Sequence, residues 1–183
     1  FPCFWTITNK VFIKSYTNDL IWSKEFVQKN RWQFELFIIL PKEEIKTIAD
    51  IEALPEGTRA ELIDGRLFLD TAPTVTHQAI VNFLVTEINI YIRSKGGKCR
   101  VFPSPFDVQL SADDIYNLVQ PDISVICDRD KLSNGKRCIG APDWVIEVVS
   151  PSTKAQEYII KRGKYQAAGV REYWIVDPSK KRV

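Results

Sequence analysis

The sequence predicts a single α/β (α+β) domain, in which helices flank a mixed central sheet. Three observations lead to this class. Short apolar runs bounded by Pro, Gly and Asp are typical of strands, and longer segments with helical spacing of apolar residues alternate with them. The composition, 45% hydrophobic and 26% charged over 183 residues, is that of an ordinary globular domain.

The first elements are a short helix and a hairpin. Residues 42–53 carry apolar side chains at helical spacing, and Pro55 ends this helix. An Asp64-Gly65 pair then separates the strand-like runs 60–63 and 66–69. Asp-Gly favours the tight turn that joins two antiparallel strands, so a β-hairpin is predicted here.

A long helix and a broken strand follow the hairpin. The helix is expected from about His77 to Ser94, capped by Thr74 or Thr76 and ended by Gly96-Gly97. Residues 99–110 are strand-like but contain two prolines, and their second half alternates as a half-exposed strand does. Residues 111–117 and 128–140 are predicted to be polar loops.

Two apolar strands carry acids where acids are costly. Residues 122–127 form one run, which Pro121 opens, and residues 144–149 form a nearly continuous second run. Glu147 lies inside this second strand. An unpaired carboxylate there would cost several kcal/mol, so it must be protonated, paired or bound to a metal.

A helix after the second strand carries a lysine on its packed face. It is expected to begin near Ser150, with a capping box from Thr153 to Gln156, and to end at Gly169 before a last strand at residues 172–176. At about 100° per residue, four of its side chains share one sector. These are Tyr158, Lys161, Tyr165 and Ala168.

Lys161 has two alternatives to a role in a site. Its stem can lead the ammonium to solvent, or it can pair with Glu157 four residues earlier. Lys164 lies toward the edge of the same stripe and is the weaker candidate. Two acids can hold a hard cation such as Mg²⁺, while a lysine orients water or stabilises charge on a phosphate. Asp122, Glu147 and Lys161 therefore favour metal-assisted phosphodiester hydrolysis.

A set of motifs resembles the Uma-two family of restriction-endonuclease-like proteins, within the PD-(D/E)XK nuclease superfamily. The set covers roughly residues 45–178. It consists of residues 61–65, His77, Pro121-Asp122, residues 141–147, residues 150–153, Lys161 with Tyr165, and residues 169–177.

The resemblance implies a restriction-endonuclease-like fold and a metal-dependent DNA endonuclease. A homodimer is expected, because cutting both strands of a duplex is simplest with two symmetric sites. Asp122 would be the first metal-binding acid, and Glu147 the acid of the (D/E)XK element. Val149 occupies the lysine position of that element, so this chain departs from the pattern and Lys161 would supply the lysine instead. Glu61 would complete the catalytic site. Mg²⁺ is the implied cofactor, for which Mn²⁺ would substitute.

Two further polar residues are interpreted more plainly. His77 is the only histidine, so triads and two-histidine metal sites have little support. It is interpreted as a helix N-terminal residue that has a smaller chance of lining the cleft. Asp143 repeats the Pro-Asp pattern of Asp122 and is interpreted as a turn residue at the entry of a strand.

The charge balance supports a second functional class. The net charge is only +2, and residues after position 40 hold 20 basic and 20 acidic side chains. With the in-strand lysine also missing, a catalytically inactive nuclease-fold module that binds nucleic acid or a protein is the alternative hypothesis.

The remaining expectations concern cysteines, location and boundaries. Four scattered cysteines are expected to be reduced thiols in a cytoplasmic protein, and no apolar run approaches the length of a membrane span. Residues 1–40 are interpreted as an extension, either upstream translation before a natural start near Leu40 or a genuine segment. Residues 41–183 are expected to form the nuclease domain, truncated at its C-terminus.

Overall fold

The computed structural model describes residues 44–150 and 156–183. A 3₁₀ turn spans Arg129–Leu132, and a π-helical turn, Gln156–Lys161, leads into the last helix. The other elements of these ranges are α1 (Ile48–Glu52), β1 (Ala60–Ile63), β2 (Arg66–Leu69), α2 (Val75–Ser94), β3 (Arg100–Pro103), β4 (Val108–Gln109), β5 (Ile123–Ile126), β6 (Cys138–Ile139), β7 (Trp144–Val148), α3 (Arg162–Ala168) and β8 (Glu172–Val176).

A four-stranded mixed sheet lies at the centre of the fold. Its strand order is β3-β5-β7-β8. β5 is antiparallel to both β3 and β7, whereas β8 runs parallel to β7. The parallel pair requires a crossover connection, and the segment that contains α3 supplies it. The predicted α/β (α+β) class with a mixed central sheet is confirmed.

Two hydrophobic clusters cover the two faces of this sheet, because successive side chains of a strand point to opposite faces. On one face, Ile123 of β5 belongs to a cluster with Val81 and Ile88 of α2. On the other face, Ile126 of β5 belongs to a cluster with Tyr165 of α3. Full burial of each such side chain stabilises the fold by about 1.5–3 kcal/mol. The sheet therefore separates α2 from α3.

The predicted hairpin and long helix are both present. β1 and β2 pair antiparallel around Asp64 and Gly65, whose positive φ values of 51° and 72° suit a tight hairpin turn. In α2, the hydroxyl of Thr74 accepts a hydrogen bond from the backbone N–H of His77 at 3.2 Å. Thr74 is thus the N-cap, one of the two residues proposed from the sequence.

The first helix is shorter than predicted. The described residues before Ile48 are not helical, and α1 has Thr47 as its N-cap. The carboxylate of Asp50 accepts hydrogen bonds from the backbone N–H and the hydroxyl of Thr47, at 2.7 and 2.8 Å. This exchange fixes the start of the helix at Ile48 and lowers the pKa of Asp50.

Two predictions for the middle of the chain were wrong. The half-exposed strand at residues 106–110 is only β4, and it is buried because it lies between β6 and Val119. Residues 128–140, which were predicted to be a polar loop, contain the 3₁₀ turn and β6, and β6 pairs parallel with β4. The sequence does not reveal β4 or β6, because a two-residue strand is too short to show an alternation of apolar and polar residues.

The prediction of four reduced thiols was also wrong. Cys99 and Cys127 form a disulfide, because they occupy the next opposed pair after Arg100 and Ile126 in the β3–β5 register. Cys138 is a free thiol inside the core, and burial raises its pKa to about 11. It therefore stays protonated at neutral pH, and the cytoplasmic location remains a prediction without the support of four free thiols.

Several predictions fall outside the described residues. These are the extension at residues 1–40, the start of the first helix at Lys42 and Glu43, and the capping box that begins at Thr153. Among the helices of the described ranges, none is both long and apolar enough to cross a membrane.

Candidate active site

Asp122 and Glu147 face each other across two central strands. Ile123 of β5 pairs with Ile146 of β7, so Asp122 and Glu147 form the next opposed pair in the antiparallel register. The backbone N–H of Asp122 donates to Oε2 of Glu147 at 3.2 Å, and the backbone N–H of Val148 donates to Oδ2 of Asp122 at 2.7 Å. The sheet itself therefore holds both carboxylates in place.

Glu147 is buried, with only 2% of its surface exposed. Its Oε1 lies 3.1 Å from Nζ of Lys161 and accepts a hydrogen bond from the hydroxyl of Tyr165 at 2.7 Å. The cost expected for an acid inside an apolar strand is thus offset by an ammonium and by hydrogen bonds. Pairing, one of the three solutions that the sequence left open, is the one observed.

Lys161 lies between two buried acids. Its Nζ is 2.8 Å from Oε1 of Glu61 as well as 3.1 Å from Oε1 of Glu147, and the side chain is 3% exposed. The ammonium of Lys161 therefore does not reach solvent, so the first of the two alternatives to a role in the site is wrong. The pair with Glu157 involves a side chain outside the described ones. Lys164, the weaker candidate, pairs with Asp64 at the hairpin turn.

The local backbone explains how Lys161 reaches the strand. It is the last residue of the π-helical turn and the N-cap of α3, and π-helical turns occur frequently at functional sites. Tyr165 lies one turn further along, so both side chains point the same way and meet the same carboxylate oxygen. The helical face predicted from the sequence is present for these two residues. Tyr165 was named there only as a packing and motif residue.

Glu61 comes from the first strand of the hairpin. A glutamate in a hairpin strand is usually solvated, but Glu61 is 3% exposed. Its Oε1 accepts a hydrogen bond from the backbone N–H of Gln120 at 2.7 Å, in addition to the ion pair with Lys161. The hairpin is thereby tied to the segment that leads into Asp122.

His77 contributes more than the sequence suggested. It lies in the first turn of α2, as interpreted, but its Nε2 is also 3.0 Å from Oδ2 of Asp122. Both interpretations are therefore correct, because His77 is a helix N-terminal residue and also lines the cleft. Its occurrence among the family motifs was the signal. Asp143 is a turn residue as expected, and its carboxylate accepts from the backbone N–H of Cys127 at 2.7 Å.

One cleft of about 430 Å³ is lined by the three acids Glu61, Asp122 and Glu147 together with His77 and Lys161. Its rim includes Asp70, whose pKa is raised because burial and the nearby charge of Glu61 both disfavour the carboxylate. Val149, at the in-strand lysine position, is buried and does not line the cleft. The lining residues are Arg59, Glu61, Asp70, Thr71, Ala72, Pro73, Thr74, His77, Gln78, Val81, Ser104, Gln120, Asp122, Glu147, Val148, Ser150 and Lys161.

The donor chemistry of this cleft fits a hard divalent cation. Asp122 and Glu147 supply carboxylate oxygens from neighbouring strands, and such cations prefer oxygen ligands. Within residues 44–150 and 156–183, no group of three or more His, Cys, Asp or Glu side chains could hold a metal. A cation held by these two acids would therefore need water or other oxygens to complete its shell, as Mg²⁺ commonly does.

The fold and the cleft together define a class of protein. A mixed sheet places two acids on adjacent strands and a lysine on the following helix, as in a restriction-endonuclease-like nuclease. The profile of the Uma2 family, described as "Putative restriction endonuclease", matches residues 48–183. The chain belongs to the Uma2 family, and the resemblance noted in the sequence is confirmed.

A solved structure resembles the fold as well. A crystal structure from Anabaena variabilis ATCC 29413, described as "a putative nuclease belonging to DUF820", superposes with a TM-score of 0.56 and 26% identity. The match covers 73% of this chain and 74% of that chain. A search of curated proteins gives no match. The neighbour agrees with the nuclease fold.

Proposed function

We propose that this protein is a metal-dependent DNA endonuclease that hydrolyses phosphodiester bonds in the cleft between Asp122 and Lys161. A nuclease function is supported by the family, and divalent metals are general in restriction-endonuclease-like enzymes. The single observation that carries the proposal is the contact of Lys161 with Glu147 at 3.1 Å. Lys161 thus reaches Glu147 from the helix, although Val149 occupies the position of the lysine in the (D/E)XK element.

Each of the four predicted residues has a role in this proposal. Asp122 and Glu147 would hold a divalent cation, which would be Mg²⁺ or, as its substitute, Mn²⁺. When bound, such a cation lowers the pKa of water and offsets negative charge on the phosphate. Lys161 positions the attacking water or stabilises the charge that develops on the phosphate oxygens. Glu61 holds Lys161 from the other side, at 2.8 Å.

The reaction is a simple displacement. The oxygen of a water molecule forms a bond to phosphorus, and the bond from phosphorus to one ester oxygen breaks. One new strand end carries a phosphate monoester, and the leaving oxygen takes a proton that the attacking water gives up and becomes the hydroxyl of the other end. We further propose a homodimer, because two symmetric sites are the simplest way to cut both strands of a duplex. The cytoplasmic location stays a prediction.

Plasmid cleavage tests the function. Supercoiled plasmid is incubated with the protein in Mg²⁺, in Mn²⁺ and in EDTA, with Glu147→Ala purified in parallel. The proposal expects nicking in either metal, none in EDTA, and none by the variant. Absence of cutting by folded wild-type protein contradicts the endonuclease, and cutting that persists in Glu147→Ala contradicts the assigned site.

One observation favours the second candidate function. Lys161 is engaged by two carboxylates, so its charge is already matched within the protein. A catalytically inactive module that binds nucleic acid or a protein would retain such a network for stability alone. Binding of an oligonucleotide without cleavage in any metal would support this alternative.

A further inference from the structure

Arg59 lies on the wall of the same cleft, just before β1. Its Nη2 donates to the hydroxyl of Ser104 at 2.9 Å and is 3.8 Å from Oδ2 of Asp70. Its Nε is buried and has no hydrogen-bond partner among the described residues. The side chain as a whole is 36% exposed. Arg59 is therefore anchored by one hydrogen bond while part of it faces solvent.

The guanidinium of Arg59 has more N–H donors than its hydrogen bond to Ser104 uses. It carries five N–H groups, and the distance to Asp70 exceeds that of a hydrogen bond. Among the described residues, Arg59 and Lys161 are the lysine and arginine side chains that line the cleft, and Lys161 is buried between carboxylates. Of these two, Arg59 is the positive charge that a strand entering the cleft could reach. The planar fork of arginine matches the oxygens of a phosphate better than other side chains do.

The position of Arg59 relative to the acids is fixed through Ser104. The hydroxyl of Ser104 accepts from Arg59, and its backbone N–H donates to the carbonyl oxygen of Asp122 at 3.0 Å. Ser104 therefore connects the guanidinium directly to the residue that begins the central site. Because Arg59 is held at Ser104 whereas Lys161 is held at Glu147, we assign a phosphate bound by Arg59 to a group other than the scissile one.

We propose that Arg59 binds a backbone phosphate neighbouring the scissile one, so that the substrate class is a polynucleotide strand and not an isolated phosphodiester. This inference rests on the proposed function for its statement about cleavage. The phosphate contact itself does not depend on turnover, and the two can be tested separately.

Binding is measured first, by fluorescence anisotropy of a labelled oligonucleotide in EDTA over a range of salt concentrations. We expect Arg59→Gln to weaken binding about tenfold and to reduce the slope of log K against log salt by about 1. Arg59→Lys keeps the positive charge but loses the planar pair of donors, so its affinity should lie between those of wild type and Arg59→Gln. Arg66→Gln, from the same hairpin but outside the cleft, should bind as the wild type does.

Cleavage is then compared on two substrates, the oligonucleotide and bis(4-nitrophenyl) phosphate, which has no neighbouring phosphate. Arg59→Gln should raise KM for the oligonucleotide about tenfold more than for the small diester. Equal effects on both substrates, or anisotropy curves that coincide with wild type, would overturn the role of Arg59. Arg59-dependent binding without any cleavage would instead contradict the proposed endonuclease and leave the phosphate contact established.

Discussion

Nζ of Lys161 lies 3.1 Å from Oε1 of Glu147, across a separation of 14 residues. The strand after Glu147 continues with two buried valines, so the lysine reaches the acid from the helix that covers the sheet. The second carboxylate on Lys161, from Glu61, ties the hairpin to this pair. Removal of Lys161 would leave two buried carboxylates without their ammonium.

The first prediction concerns the stability of this buried network. Lys161→Met should lower the free energy of unfolding by about 3–5 kcal/mol, because Glu61 and Glu147 would remain buried without their ammonium. Urea denaturation followed by circular dichroism measures the change. Lys98→Met, at an exposed position, should stay within about 0.5 kcal/mol of wild type. A loss at Lys161 as small as that at Lys98 would contradict the account.

The second prediction concerns the hydroxyl of Tyr165. It donates to Oε1 of Glu147 at 2.7 Å from a fully buried position. Tyr165→Phe should therefore cost about 1.5–3 kcal/mol, the range for a hydrogen bond to a charged group. Tyr91→Phe is the matched control, since Tyr91 is exposed. Melting curves of the two variants should differ, and identical curves would mean that this hydrogen bond adds nothing to stability.

The third prediction is a pH dependence at Asp70. Its pKa is raised first by burial and then by the charge of Glu61, so the folded state binds this proton more tightly than the unfolded state does. Stability attributable to Asp70 therefore falls as pH rises from the ordinary carboxyl pKa through the raised one. Asp70→Asn should be more stable than wild type at pH 8.

The same comparison across pH provides the control for Asp70. The advantage of Asp70→Asn should shrink as pH falls and vanish below a pH of about 3.9, the ordinary aspartate pKa. Urea unfolding at intervals between about pH 3.5 and about pH 8 gives the difference directly. A difference that stays constant over the range would contradict the raised pKa.

The fourth prediction concerns the disulfide between Cys99 and Cys127. It closes a loop with a sequence separation of 28, for which the chain-entropy relation gives about 3–4 kcal/mol of stabilisation. The double variant Cys99→Ser, Cys127→Ser should therefore melt well below the oxidised wild type. Reductant should lower the melting temperature of wild type but not that of the variant. Equal sensitivity of both would mean that the bond does not form.

The sequence predicts those parts of this structure that depend on local chemistry. The Asp64-Gly65 turn, the cap at Thr74 and the helical face of Lys161 follow from turn, capping and periodicity rules. The cost of Glu147 inside an apolar strand also marks it as a residue that needs a partner. These features need no knowledge of which strands are neighbours.

The rest of the site depends on long-range register. The contact of His77 with Asp122 joins the start of α2 to β5 over 45 residues, and no local pattern encodes that distance. The pairing of Cys99 with Cys127 likewise follows only once β3 and β5 are known to be partners. Arg59 shows no signal in the sequence, because its significance comes from the cleft that other segments complete.

We propose that Asp122 and Glu147 hold the divalent cation used for cleavage, and isothermal titration calorimetry with Mn²⁺ tests this metal site most directly. Wild type should bind with saturable heat, and Glu147→Gln should bind much more weakly because it keeps the shape but loses the charge. Glu56→Gln, at an exposed position, should bind as wild type does. Equal affinity of wild type and Glu147→Gln, or no binding by folded wild type, would contradict the claim.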